Sequence, residues 1–203
     1  MKKPRPLTYL PLLVLVASPA SAHSPVPGME GFYVGLLHPF STPPQALLLL
    51  GLALVAGGFE TARVQWLLGS FLVASLGGLM LAFGFEELDA TMFALAFVVC
   101  SVAALFPGKL FPVALALIGV GAFLIGDASV PDEGPPQDRL FTMSGSMVGA
   151  NMGMLYLVGI FLLIKERFTQ PWVGIAFRVA AAWIGAVSLL MLALGLSEIT
   201  RSI

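Results

Sequence analysis

Two histidines, His23 and His38, are the only imidazoles in this chain, and both fall in one Pro- and Gly-rich segment near its start. A neutral imidazole is the commonest protein ligand for borderline metals such as nickel or copper. Cleavage after Ala22 makes His23 N-terminal, so its α-amine joins its ring as a second nitrogen donor. His38 opens the dipeptide His38-Pro39, directly after the apolar stretch 31–37, which reads as a short helix at the interface or dipping into a bundle. The pair is readable as a capture point for a metal ion, or as two interfacial histidines with no ligand. Asp127 closes an apolar segment and is the carboxylate best placed to help them. The stretch 127–138 around it, with Pro131, Pro135 and Pro136, also reads as an extended, solvated loop.

A second set of side chains repeats at helical spacing. Gly145, Gly149 and Gly153 recur every four residues and form a small-residue stripe, which lets another helix approach closely in lipid. Met143, Met147, Asn151 and Met154 fall on roughly the opposite face at 100° per residue. Thioethers and an amide suit Cu(I) or another soft ion. The same row also serves as packing, methionine being a common gap-filler. Cys100 is the only cysteine, which excludes a disulfide and a thiolate cluster. Ser144 and Ser146 beside Gly145 would need a base to act as nucleophiles. No histidine lies in the apolar segments, and Lys165 falls at the far end of this one, so no enzymatic activity is expected.

Positioning these residues falls to helices in a membrane. Apolar residues make up 58% of the chain and charged residues 10%, against about 25% charged in soluble domains. Such a chain meets lipid rather than water. A net charge of −1 provides no basic patch for nucleic acid. Lys2, Lys3 and Arg5, the apolar run 7–17 and Ala20-Ser21-Ala22 form a signal-peptide pattern, so residues 1–22 are expected to be removed. Residues 23–203 then form one all-α domain, a polytopic helix bundle with about six spans near 45–59, 66–83, 91–106, 110–125, 140–164 and 173–196. The segments are apolar all round, unlike the alternating strands of a barrel. Arg63, Lys109, Lys165, Arg167 and Arg178 sit by alternate turns, which the positive-inside rule places in the cytoplasm, with both mature termini outside.

The run Ala22-His23, Gly31-Phe32-Tyr33-Val34-Gly35-Leu36-Leu37-His38-Pro39 and Leu48-Leu49-Leu50-Gly51-Leu52 resembles the start of HupE/UreJ proteins. These are bacterial membrane proteins associated with hydrogenase and urease and regarded as nickel or cobalt permeases. The resemblance implies a multi-pass protein of the inner membrane, with Ni(II) or Co(II) as substrate and no tightly bound cofactor. A copper ion, held by the two histidines with the methionine row as a path inward, is the other metal reading. The family motif His-Pro-x-x-Gly-x-Asp-His reads here His38-Pro39-Phe40-Ser41-Thr42-Pro43-Pro44-Gln45, so Pro44 and Gln45 replace the aspartate and second histidine. A family Leu-His in the fifth span corresponds to Leu155-Tyr156, which adds Tyr156 to the pore-lining candidates Met143, Met147, Asn151 and Met154. The resemblance implies a metal site at His23, His38 and Asp127. A scaffold that kept the fold and lost the site is the rival reading. Partners left open are a second copy of the chain or another membrane protein.

Overall fold

The computed structural model describes residues 30–81, 83, 88–131 and 136–202. The expected signal peptide and His23 lie outside the described residues. Those described are all-helical: α1 (Glu30–Ser41), α2 (Pro43–Gly57), α3 (Thr61–Leu81), α4 (Leu88–Leu105), α5 (Phe111–Asp127), α6 (Pro136–Arg167) and α7 (Pro171–Ser202). Four of them, α3, α4, α6 and α7, are long and apolar enough to cross a membrane, and α1 with α2 form an apolar pair bent by 68°, which is either one broken span or a re-entrant loop. The expected fourth span is α5, a shorter apolar helix of 17 residues. At 1.5 Å per residue it covers about 25 Å of a hydrocarbon core about 30 Å thick. The expected count of six therefore requires both the bent pair and α5 to cross.

The apolar stretch at 31–37 forms part of α1, which continues through a buried Pro39 to Ser41. Proline ends it. Pro43 disfavours helical geometry at Thr42, which is extended at φ −95 and ψ 117, and neither Pro43 nor Pro44 has an N–H to continue the ladder. Proline is tolerated in a first helical turn, so α2 starts there. Pro136 opens α6 by the same logic, and the proline-rich loop is shorter than 127–138.

The central element is α2. Leu48, Leu49, Leu52, Ala53 and Ala56 are buried on several sides of it. A Cβ at Gly51 would meet Cys100 and Val99 of α4, while Leu52 covers Gly121 of α5 and Leu49 reaches Gly153 of α6. Between α3 and α5 the backbones nearly touch: a Cβ at Gly78 would fall on the Phe123 carbonyl, and one at Gly126 on that of Ser75. Lipid tails are as apolar as leucine, so close van der Waals approach and buried hydrogen bonds hold these helices together.

The turns after α2, α4 and α6 gather at one end. Gly108 has φ +67, and a Cβ there would stand 2.5 Å from the Gly58 carbonyl oxygen. Arg63 lies over the Phe111 ring at 5.7 Å. Lys165 Nζ donates to the carbonyls of Gly57 at 2.9 Å and Gly58 at 3.2 Å, and Arg178 Nε donates to Ala104 at 2.7 Å. Each cation thus meets the orphan carbonyls, and the negative dipole end, of a helix C-terminus.

Candidate functional site

His38 stands at the bend. Its carbonyl accepts from the Thr42 N–H at 3.2 Å, the Thr42 hydroxyl at 2.9 Å and the Ser41 hydroxyl at 3.2 Å, which ties off α1. Its ring reaches across the break: His38 Nε2 lies 3.1 Å from Gln45 Nε2. Gln45 is only 3% exposed, and its Oε1 is buried with no hydrogen-bond partner among the described residues. With the amide so placed, its NH₂ donates to Nε2 and the ring proton sits on Nδ1. Turning the amide over lets Oε1 accept from Nε2–H but strands the NH₂ instead. One end of a buried amide goes unmet either way, an arrangement that costs about 1–3 kcal/mol. A ligand that the carbonyl oxygen and the imidazole could share would remove that cost.

A second group of buried polar side chains lies where α3, α5 and α6 meet. Asp127, the last residue of α5, is 5% exposed rather than solvated. Two residues on, Ser129 donates to the Ile125 carbonyl at 2.7 Å and accepts from Ser146 of α6 at 2.8 Å. One turn further along α6, Asn151 Nδ2 lies 3.2 Å from Ser75 Oγ of α3, 3.0 Å from the Met147 carbonyl and 3.2 Å from Met147 Sδ. Phe59 stacks edge-on against Phe111, and Leu52 covers Gly121, so α2 and α5 run antiparallel. Gln45 and Asp127 therefore lie towards the same end of the bundle.

The faces of α6 divide their work. Gly145 and Gly149 lie against α1, where a Cβ would fall on the carbonyls of Phe32 and Leu36, and Gly153 sits under the Phe40 ring and Leu49. Met147 and Met154 are buried on the other side, with Met143 and Asn151 partly buried. Tyr156 does not join them: it is 63% exposed on the outer surface. Two residues beyond Met154 it is turned about 200° around the helix, so it cannot share that face. Among the described residues, no group of three or more His, Cys, Asp or Glu side chains is gathered closely enough to hold a metal ion. Ser144 donates to the Phe141 carbonyl and Ser146 to Ser129, which leaves neither beside a base.

Sequence reasoning singled out His38, Asp127, Met147 and Asn151. It placed Gln45 only as a lost histidine and did not pair Ser75 with Asn151 or Ser129 with Ser146. The seven-residue spacing of His38 and Gln45 across three prolines was the available signal for the first pair. Ser75 and Asn151 are 76 residues apart and offered none.

No curated relative and no solved structure matches this chain. The family of HupE / UreJ proteins matches it over residues 11–192, nearly its whole length. With an all-helical bundle, a bent first helix pair and His38-Pro39 by the bend, the chain belongs to the HupE / UreJ family of membrane proteins.

Proposed function

We propose that this chain is a permease for a divalent transition-metal ion, nickel or cobalt, in the bacterial inner membrane, and not an enzyme. Family membership supports the coarser reading of a metal-handling accessory membrane protein. One observation carries the finer one: the unmet Gln45 amide beside His38 at the bend of the first helix pair. Broken helices are where transporters commonly place substrate, because the interrupted backbone and flanking side chains replace the hydration shell of the ion. His38 offers an imidazole nitrogen and Gln45 an amide oxygen. His23, as the mature N-terminus, brings two further nitrogens from the outer segment. Asp127 supplies negative charge to an ion that would otherwise shed water at high cost, and Ser75, Met147 and Asn151 continue the polar path between helices.

The test is calorimetric titration of the purified mature chain with Ni(II), Co(II) and copper, with its start at His23 checked by intact mass and uptake measured in cells. His38→Ala should abolish saturable binding. Gln45→His, which restores an imidazole at that position, should tighten it about tenfold, because imidazole is the better ligand for these ions. Binding should weaken in acid, since a protonated ring cannot ligate. No saturable binding of any of these ions, with uptake unaltered in His38→Ala, would leave the scaffold reading in its place. Selective binding of copper would move the substrate to that ion.

A further inference from the structure

At the opposite end of the bundle from Asp127, a cavity of about 480 Å³ opens between the ends of α2, α4, α6 and α7. Its inner wall is apolar, formed by Leu54, Phe161, Val173 and Phe177, and its rim carries Lys165, Arg178, Thr169 and Gln170. The size falls within the range of small-ligand pockets, and an apolar wall under a cationic rim matches an amphiphile rather than a free ion. Lys165 spends two ammonium protons on Gly57 and Gly58, and Arg178 spends Nε on Ala104. The third ammonium proton and the four Nη–H donors of the guanidinium have no hydrogen-bond partner among the described residues, although the Glu60 carboxylate acts on Lys165 through its charge. Arg178 in particular carries a full charge against one helix C-terminus, which is equivalent to about half a charge. The surroundings add to the excess: Arg63, Lys109 and Arg167 stand at the same end against only Glu60 and Glu166. Trp172 and Phe168 are exposed beside the opening, as aromatic side chains are at a headgroup layer.

We propose that this cavity is a binding site for the phosphate-bearing headgroup of an anionic phospholipid. Basic pockets between spans on the cytoplasmic side are suited to such headgroups, because the anionic leaflet supplies the ligand and the rim supplies the donors. The lipid phosphate takes the spare Lys165 and Arg178 donors, and an acyl chain lies along the apolar wall. Occupancy would brace the α6–α7 turn against the ends of α2 and α4.

The purified full chain in neutral detergent would be titrated with phosphatidylglycerol, phosphatidylcholine or inorganic phosphate. Native mass spectrometry would count the adducts, and thermal unfolding would report stabilisation. Phosphatidylglycerol alone should be retained and should raise the midpoint. The double variant Lys165→Gln, Arg178→Gln should bind it about 30-fold more weakly, at roughly 1 kcal/mol for each cation removed. That variant also uncaps two helices, so a second keeps both cations. Gly174 lines the cavity, and a Cβ there meets nothing within 4 Å, so Gly174→Trp should plug the site, remain folded and lose the adduct. Wild-type retention of phosphatidylglycerol by Gly174→Trp would overturn the proposal. Equal stabilisation by phosphatidylcholine, or by inorganic phosphate, would overturn it as well.

Discussion

Alanine at Gly149 and alanine at Gly159 should change stability in opposite directions, although both lie on α6 ten residues apart. In each case alanine removes the conformational penalty of glycine in a helix, a gain of about 0.8–1.0 kcal/mol. At Gly159 nothing lies within 4 Å of the new methyl group, so the gain stands alone. At Gly149 the methyl group would fall on the Leu36 carbonyl oxygen, with the carbonyl carbon at 3.0 Å and Cα at 3.2 Å. All three atoms are backbone and cannot rotate aside, so α1 itself must move. Overpacking of this kind costs about 1–3 kcal/mol, and the two variants should differ by about that amount. Leucine at 149 would part the two helices. Detergent unfolding followed by tryptophan fluorescence measures the difference directly. Equal shifts in the same direction from both alanines would show that the stripe at 145, 149 and 153 does not carry the α1–α6 contact.

Gly108→Ala should lose about 1–3 kcal/mol in the same assay, because a left-handed residue gains a side chain where the Gly58 carbonyl already stands; wild-type stability would remove this turn from the structural core. Ser129→Ala and Ser146→Ala, made singly and together, should show a coupling of about 0.5–1.5 kcal/mol for their buried hydrogen bond. Strict additivity in that cycle would mean the two hydroxyls do not meet.

The helices were legible because membrane spans write themselves as apolar runs. The expected segment at 45–59 became Pro43–Gly57, and that at 173–196 became Pro171–Ser202; both starts moved back to a proline, and the last helix runs on past the apolar stretch into polar residues, which hydropathy does not mark. The glycine stripe announced a close neighbour but not its identity, since nothing in the spacing of Gly145, Gly149 and Gly153 points to residues 32–40. The site was harder to see. Asp127 read equally as a loop carboxylate, because its burial depends on α3 packing within backbone distance at Gly78 and Ser75. Tyr156 entered through correspondence with a family position, and helical geometry alone turns it away from Met154. Lys165 and Arg178 signalled orientation by their charge, while the carbonyls they meet are set by how the ends of α2 and α4 come together.

The contact between α1 and α6 has a mechanical side. Helices that interlock side chains are held in register, since sliding requires every ridge to leave its groove. Here Gly31 and Gly35 of α1 run parallel to α6 and meet the backbone near Asp138, Thr142 and Ser146, while Gly145 and Gly149 meet the backbone of α1 in return. Phe40 over Gly153 is a large side chain engaged along that track, and the Phe141 side chain lies at Gly31. By contrast, α2 is meshed with its neighbours through Leu48, Leu49 and Leu52. The bend at Ser41 and Thr42 thus joins a smooth rail to a fixed post. A shift of α1 along that rail by a fraction of a turn would withdraw the His38 ring from Gln45 while the leucines stay in place.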